Sequence, residues 1–467
     1  MQILSSWWNE IKNGWKEIMV NRNCFWLFLG LFVVTLTSTY FFWLNDRLIP
    51  GISISGVKVG GLPVSEATRL LNNRFLPAKQ KKVTLSYEKR AFDVVLGTIG
   101  IQPDIFGTIK QAYSLGRTGS LFSRLYDIIK TSRFGRDFPL QFNHNQKVLE
   151  SFYRLLDASV GREPVRAVVR VASDGRVHHT QSMVGRLIDR KALTGQFEKA
   201  VYQGRLQQIK IPIRYVNPTL SSADIKRWRL DQVISKYVTS FNPEAKERSH
   251  NLKIACGALD NVIIYPGQTF SFNTWIGPRV TNTGYKEAPV VLKGKLVPGV
   301  GGGVCQVSST LYNAVLLANL QVVKRHNHSR VSNYVPLGRD ATVVNGGLDL
   351  IFTNTLVSPI LLTAEVKSSY IQVAVLGEKG NWERVELETK IVKKYPFEIK
   401  EIQDPELSLG TRIRKEPGQE GYKVELWRLV YYRDGLVKKS RVNTSIYPPL
   451  PEEYKVGTKI PEQRGEF

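Results

Sequence analysis

The sequence is poor in cysteine, and this shortage excludes two classes of protein. Only three cysteines, Cys24, Cys256 and Cys305, occur in 467 residues. There is no CxxC pair and no cysteine–histidine spacing typical of zinc. A disulfide framework and a structural zinc site are therefore excluded, although one Cys256–Cys305 bridge remains open. We expect no metal and no cofactor.

Acidic residues are also scarce. Asp and Glu total 40 against 65 Lys and Arg, which gives a formal net charge of +25. A field of this sign concentrates polyanions, whether nucleic acid, anionic lipid or acidic cell-wall polymers. The apolar fraction of 42% is ordinary for folded protein. The length exceeds what one hydrophobic core usually serves, so we expect several domains.

One long apolar run lies near the N-terminus. From Cys24 to Leu44 the chain has 21 residues without a charge, and at about 1.5 Å per residue they cross a hydrocarbon core of about 30 Å. A cleaved signal peptide is the alternative, but the run is too long and no small-x-small cleavage site follows it. We predict a cytoplasmic tail over 1–23, a single-pass anchor over 24–44, and the bulk of the chain outside the cell membrane. That location disfavours nucleic acid as a partner.

Beyond this run the patterns divide the chain into three segments. The first, 49–215, alternates strands and helices as an α+β domain does. The second, 222–385, mixes helices with strands. The third, 390–459, lacks a convincing helix, and its Asp434-Gly435 pair predicts a hairpin turn. The expected fold class is α+β and multidomain, with an N-terminal transmembrane helix, α+β domains and a small C-terminal β module.

The stretch GGGVCQVSSTLYNA carries the candidate chemistry. Its glycines, Gly301 to Gly303, allow unusual backbone conformations and let a ligand approach the main chain. Cys305 follows at the expected start of an amphipathic helix, where the dipole and free N–H groups favour a thiolate. The same N–H groups, with Gln306, can stabilise an oxyanion. The candidate ligand-binding residues are Gly302, Gly303, Gln306, Ser308 and Arg325.

A nucleophilic thiol needs a base, and RHNHS supplies two candidates. His326 and His328 lie 21 and 23 residues after Cys305, enough for a helix and a returning strand whose alternation puts both imidazoles on one face. Asp340 can orient the imidazole from the next strand. This order is similar to the transglutaminase and papain-like arrangement in topology alone. Three interpretations remain open: catalysis, a non-catalytic ligand pocket, or packing around a buried thiol.

Five motifs, in consistent order, resemble the VanW family. They are YPGQTFSFN (265–273), GGGVCQVSSTLYNA (301–314), RHNHS (325–329), YVPLGRDATV (334–343) and DLIFTN (349–354). VanW takes its name from a vancomycin-resistance gene cluster, but the family's biochemical activity is not established. The resemblance therefore implies where the protein works, and it leaves open whether the protein is an enzyme.

The flanking segments resemble two envelope modules. AYSLGR (112–117) is the clearest motif of a peptidoglycan-binding domain that commonly precedes a VanW domain. The third segment is similar to a five-glycine module, through Gly410, Gly418, Gly421, Gly435 and Gly457. Together the resemblances imply a membrane-anchored bacterial envelope protein that binds peptidoglycan or anionic wall polymers. The alternative is a cysteine-dependent amide hydrolase or acyl transferase acting on wall peptides.

Overall fold

The structure, a computed structural model, describes residues 22–43, 45–203, 208–292 and 294–459. Residues 1–21 of the predicted tail lie outside the described residues, as does Leu44 at the end of the predicted anchor. Among the described residues, no helix combines the length and the apolarity that crossing a membrane requires. The anchor therefore stays a prediction.

Helices and strands alternate irregularly along the described chain. The α-helices are α1 Arg22–Trp43, α2 Val64–Phe75, α3 Ile105–Ser114, α4 Leu121–Phe134, α5 Gln146–Val160, α6 Arg190–Gln203, α7 Ser222–Arg227, α8 Lys246–Leu259, α9 Phe272–Ile276 and α10 Val304–Leu317. The first strands are β1 Ile52–Ile54, β2 Val57–Lys58, β3 Lys82–Tyr87, β4 Arg90–Val95, β5 Ile101–Asp104, β6 Arg136–Phe138, β7 Gln141–His144, β8 Val169–Val171, β9 Val177–His179, β10 Gly185–Ile188, β11 Ile209–Lys210 and β12 Ile213–Val216. The later strands are β13 Val233–Ser240, β14 Val262–Ile264, β15 Thr269–Ser271, β16 Glu287–Leu292, β17 Lys295–Val300, β18 Gln321–Lys324, β19 Ile351–Thr353, β20 Ile360–Val366, β21 Tyr370–Gly377, β22 Trp382–Tyr395, β23 Ile399–Ser408, β24 Arg412–Glu416, β25 Gly421–Tyr432, β26 Val437–Tyr447 and β27 Glu452–Lys459.

The chain divides into two compact units. The first is drawn from residues 1–163 and 184–216, and the second from 164–183 and 217–467. In the first unit small sheets, such as β11-β3-β4 and β2-β1-β6, pack with amphipathic helices. Helix α2 turns Leu71 and Phe75 into this core, because apolar residues recur along it at helical spacing. None of the candidate site residues belongs to this unit.

The second unit holds the candidate site. Its main sheet has the order β13-β21-β20-β14, and α8 and α10 pack against it. The unit also has a smaller sheet, β15-β19-β18, and the hairpin β16-β17. Strand β17 directly precedes α10 along the chain, and β18 directly follows it. The apolar face of this helix, predicted to be amphipathic, includes Val307, Leu311 and Val315, which are all fully buried. The helix is buried on its polar side as well, so its position is fixed from all directions.

The last part of the second unit is a β module of two three-stranded sheets, β22-β25-β26 and β23-β27-β24. Strands β25 and β26 pair antiparallel, with Tyr431 opposite Val437, so the predicted hairpin is confirmed. Gly435 in its turn has a φ of 82°, which favours glycine. A Cβ on Gly421 would lie 2.5 Å from Pro449 N, so only glycine fits there. The prediction of a multidomain α+β chain with a small C-terminal β module is confirmed.

Candidate functional site

The glycine run places Cys305 at a helix start. Cys305 is the second residue of α10, as predicted. Gly301 and Gly303 have φ values of 85° and 108°, which residues with a side chain rarely adopt. A Cβ on Gly302 would lie 2.5 Å from Ala288 O, so the close approach that these glycines permit is made by the chain's own strand β16. The run therefore sets the turn from which the cysteine projects.

The Cys305 thiol is half-buried, and its Sγ donates to the Val343 carbonyl at 3.5 Å. The His328 side chain acts on the same thiol and lowers its pKa. Cys256 and Cys305 are both free thiols, so the bridge that the sequence left open is not formed.

His328 joins this thiol to Asp340. His328 is 6% exposed, and its Nδ1 lies 2.6 Å from Asp340 Oδ2. Because Nδ1 is hydrogen-bonded to Asp340, Nε2 is the ring nitrogen that can interact with the thiol. The His328 backbone N–H donates to the same carboxylate oxygen at 2.6 Å, which fixes the base of the side chain as well. Cys305, His328 and Asp340 therefore form one series, in which hydrogen bonds join His328 to Asp340 and an electrostatic interaction joins His328 to Cys305.

A shell of donors holds the Asp340 carboxylate, which is 1% exposed. Its Oδ1 accepts from Arg325 Nη2 at 2.9 Å and from the Tyr447 hydroxyl at 2.5 Å. Arg325 Nη1 in turn donates to Ser445 Oγ at 2.6 Å. Arg325, a predicted ligand-binding residue, is thus committed to this carboxylate. Tyr447 and Ser445 belong to β26, so the C-terminal β module helps to fix Asp340.

The predicted shared strand face of the two histidines is wrong. Strand β18 ends at Lys324, so His326 and His328 lie in the following loop. Asp340 also lies in this long connection to β19 rather than on a strand. The backbone N–H and the ring of His328 both bind Asp340. These contacts hold the loop in position, as hydrogen bonds to a neighbouring strand would have done. His326 Nε2 is buried and has no hydrogen-bond partner in the described part of the chain.

Neighbouring charges set the protonation of the site. Burial raises the pKa of the Cys305 thiol, but His328 and the charge of Arg279 bring it below its ordinary value. Burial opposes protonation of His328, yet Asp340 and Cys305 raise its pKa to about 9. Burial likewise opposes ionisation of Asp340, but His328 and Arg325 hold its pKa below the usual value. The directions of these shifts all favour the charged forms, a thiolate beside an imidazolium and a carboxylate.

Two predicted ligand-binding side chains are engaged within the fold. Gln306 is 1% exposed, and its amide nitrogen donates to Thr239 Oγ1 at 3.1 Å and to Ser240 O at 2.8 Å. Ser308 Oγ donates to the Ala341 carbonyl at 2.6 Å. These contacts fasten α10 to β13 and to the connection that carries Asp340.

The backbone amides at the helix start leave one donor beside the thiol. Val304 N–H is bound to Gly301 O at 3.2 Å, and Gln306 N–H to Gly303 O at 2.8 Å. Within the described residues, no acceptor is bonded to Cys305 N–H. The first N–H groups of a helix have no partner inside it. Cys305 N–H is therefore the group at this position that can bind a developing oxyanion.

Arg279 is a site residue that the sequence prediction missed. It is 8% exposed, and its charge helps to lower the pKa of Cys305. Its Nη1 donates to Asn273 Oδ1 at 2.9 Å, while Nη2 is buried without a hydrogen-bond partner among the described residues. Nothing in the sequence separates Arg279 from the other 64 Lys and Arg residues, so no signal could have identified it.

Two tyrosines were missed as well. Burial and the charge of Cys305 raise the pKa of Tyr334, so its hydroxyl lies within the electrostatic influence of the thiol. Its place in the motif YVPLGRDATV was a signal that could have identified it. Tyr447 contacts Asp340 from 107 positions away in sequence, in another module, and no local pattern points to that contact.

The comparisons with known proteins match the three segments in order. A family model described as "VanW like protein" matches residues 247–376. One described as "Putative peptidoglycan binding domain" matches 92–210, and one described as "G5 domain" matches 386–459. Cys305, His328 and Asp340 all fall within the first of these matches.

Two curated relatives and one solved structure are similar to parts of the chain. "Uncharacterized protein YoaR" of Bacillus subtilis is 42% identical over 214 residues, which is 46% of this chain and 69% of that protein. "Vancomycin B-type resistance protein VanW" of Enterococcus faecalis is 36% identical over 126 residues, which is 26% of this chain and 46% of that protein. The "IgA1 Protease G5 domain structure" is 30% identical and is matched over 99% of its length and 17% of this chain, with a TM-score of 0.12.

Proposed function

The chain belongs to the family of VanW-like proteins, and we propose that it is a cell-wall-associated protein that uses Cys305 as a nucleophile on wall peptides. The reaction is hydrolysis of an amide bond or transfer of its acyl group. The observation that carries this proposal is the series Cys305–His328–Asp340, in which a thiol at a helix start meets an imidazole held by a buried carboxylate. A thiol buried only for packing needs no such partners.

The first half of the reaction forms a thioester. The Cys305 thiolate attacks the amide carbonyl carbon, and the carbonyl oxygen becomes an oxyanion that Cys305 N–H can bind. His328 then gives its Nε2 proton to the departing nitrogen as the C–N bond breaks. A free amine leaves, and the acyl group remains on sulfur. Asp340 holds the ring in position and stabilises its protonated form.

The second half restores the thiolate. Water or an amine attacks the thioester carbonyl, and His328 takes the proton of this nucleophile. The C–S bond breaks, which leaves thiolate and imidazolium as at the start. Water as the acceptor gives a free carboxylic acid, whereas an amine on a second peptide gives a new amide.

Detection of the thioester tests this chemistry. Full-length protein in mild detergent is incubated with purified wall stem peptides, and the mass of the Cys305-containing fragment is measured after rapid acid quenching. We expect an acyl adduct on Cys305 and amine release, both absent in Cys305→Ala and retained in Cys256→Ala, the matched control. Amine release that persists in Cys305→Ala, or no adduct and no release from the unsubstituted protein, would reject the nucleophile.

Wall association rests on the flanking modules. The matches to a peptidoglycan-binding model and to a G5 model support it, and a net charge of +25 favours anionic wall polymers. We assign wall binding to 49–215 and 390–459, and the chemistry to 222–385. Full-length protein should be retained on purified sacculi at low salt and released as salt rises. No retention at low salt would reject this part of the proposal.

A membrane anchor over 24–44, with the bulk of the chain extracytoplasmic, belongs to the same proposal. Its support is the 21-residue uncharged run in the sequence. Alkaline extraction of membranes gives a direct test, because it removes proteins held only by charge. The protein should stay in the membrane pellet, and a variant lacking residues 1–44 should be released. Release of the unsubstituted protein would reject the anchor.

A further inference from the structure

The second unit contains a cavity that the thiol chemistry does not use. It measures about 510 Å³ and lies between the end of α10, strand β18 and strands β25 and β26. Cys305 is near the opposite end of α10, about 10 Å from Tyr312, the nearest lining residue on the helix, at about 1.5 Å per helical residue. The cavity does not include Cys305 or His328, although it shares α10 with their site and also Arg325, which binds Asp340.

The charged side chains that line this cavity are all basic. They are Lys324, Arg325, Arg428 and Arg441, and among the described residues that line it none is acidic. Two of the four are already neutralised, since Arg325 pairs with Asp340 at 2.9 Å and Arg441 with Glu425 at 3.0 Å. The cavity thus keeps two cations, Lys324 and Arg428, with no ion-pair partner in the described part of the chain.

Arg428 is the more informative of the two. Its Nη1 donates to the Leu320 carbonyl at 3.0 Å, but its Nε is buried and has no hydrogen-bond partner among the described residues. A guanidinium removed from water without an anion carries an unrelieved desolvation cost. An oxyanion in the cavity would supply the counter-charge that this guanidinium lacks and relieve that cost. Lys324, exposed at the mouth of the cavity, adds a second charge of the same sign.

The size and the remaining lining restrict the ligand. A cavity of this volume accommodates a small organic group rather than a single ion. Its other polar lining residues include Asn319, Gln321 and Ser440, which suit hydroxyl groups. Guanidinium and ammonium groups bind phosphate or carboxylate oxygens. We propose that this cavity binds one repeating unit of an anionic wall polymer, a sugar or polyol that carries a phosphate or carboxylate group.

This inference rests on the proposed wall association and is independent of the thiol chemistry. It assigns polymer binding to a defined cavity instead of to the diffuse positive charge of the whole chain. A diffuse field attracts polyanions without requiring any particular lysine or arginine. If the cavity binds the polymer, removing its two free cations weakens binding more than removing two cations elsewhere. If the diffuse charge binds it, both pairs of substitutions weaken binding equally.

The test compares two double variants of the full-length protein in mild detergent. Lys324→Gln with Arg428→Gln removes the two free cations of the cavity, and Lys423→Gln with Lys438→Gln removes two cations from β25 and β26 outside it. The probes are fluorescent oligomers of poly(glycerol phosphate) and of oligogalacturonate, followed by anisotropy, with a chitin oligomer as the neutral control. The two anionic probes distinguish a phosphate from a carboxylate source.

We expect saturable binding of at least one anionic probe, with Kd at least tenfold higher in the cavity variant and within twofold in the control variant. Equal weakening in both variants, or no saturable binding of either anionic probe, would overturn the proposal. Because Arg428 also binds Leu320, the single variant Lys324→Gln is measured in parallel and should raise Kd at least threefold. Loss of sacculus retention with intact probe binding would reject wall association and leave the cavity assignment standing.

Discussion

Two cysteines in the second unit share one hydrophobic core but differ in chemistry. Cys256, on α8, is 1% exposed, and burial together with the charge of Asp260 raises the pKa of its thiol. Cys305, at the start of α10, lies at the edge of the same core, yet His328 and Arg279 lower its pKa. Burial acts in the same direction on both thiols. The difference therefore comes from the partners that the fold brings to one sulfur and not to the other.

The largest expected effect comes from removing the imidazole. His328→Ala leaves burial as the dominant influence on Cys305, so its pKa should rise to at least that of a free thiol and the thiolate fraction at pH 7 should fall to about 1%. We expect the rate of Cys305 alkylation by iodoacetamide at pH 7 to drop more than about tenfold, the largest change among these variants. His326→Ala is the matched control and should change the rate less than about twofold. Equal slowing in the two variants would contradict the assignment of His328.

A smaller effect is expected from the carboxylate. Asp340→Asn leaves Arg325 buried without its counter-charge, so the free energy of unfolding should fall by about 3–5 kcal/mol. Alkylation of Cys305 should slow about tenfold, since the imidazolium loses its anionic partner. Urea unfolding and the alkylation rate measure the two effects. Asp174→Asn, which alters an exposed ion pair with Arg176, should leave both nearly unchanged.

Arg279 should contribute less because it influences the thiolate by charge. Arg279→Met should slow alkylation of Cys305 about threefold at pH values below the plateau of its rate, where the thiolate fraction responds to small pKa changes. Arg279→Lys keeps the charge and should recover most of the rate. If Arg279→Met and Arg279→Lys slow alkylation equally, the size of the side chain matters and its charge does not.

Tyr447→Phe is the mildest of these changes. It removes one hydroxyl that donates to Asp340, so we expect a loss of about 1 kcal/mol in the free energy of unfolding. Alkylation of Cys305 should slow less than about twofold, because Arg325 and His328 still hold the carboxylate. A loss of reactivity as large as that of Asp340→Asn would mean that the C-terminal module governs the site.

Local signals in the sequence predicted part of this arrangement. The glycines before Cys305 predicted where α10 starts, and the spacing of apolar residues after it predicted which residues are buried. Both features depend on neighbouring residues alone. The hairpin at Asp434-Gly435 followed from turn chemistry in the same way. The order of cysteine, histidine and acid along the chain identified the residues that the structure joins.

Contacts made across long sequence distances could not be predicted. The choice of His328 over His326 depends on a loop whose shape is set by Asp340, 12 positions away. The charge of Arg279 acts on the thiol from a loop with no distinguishing sequence pattern. The Tyr447 hydroxyl donates a hydrogen bond to Asp340 from another module. Gln306 and Arg325, two predicted ligand-binding residues, likewise form buried hydrogen bonds that stabilise the fold. These long-range contacts leave no local pattern in the sequence.

The pH dependence of alkylation at the two cysteines tests the central claim most directly. The rate at each thiol is measured by mass spectrometry on native full-length protein from pH 5 to 10. Because the pKa of Cys305 is lowered, its rate should rise with pH and level off below pH 9, while acyl transfer should decline as His328 loses its proton at about pH 9. Cys256 should react only after denaturant is added. A Cys305 rate that still climbs through pH 9 like an ordinary thiol, or that matches Cys256, would contradict the account.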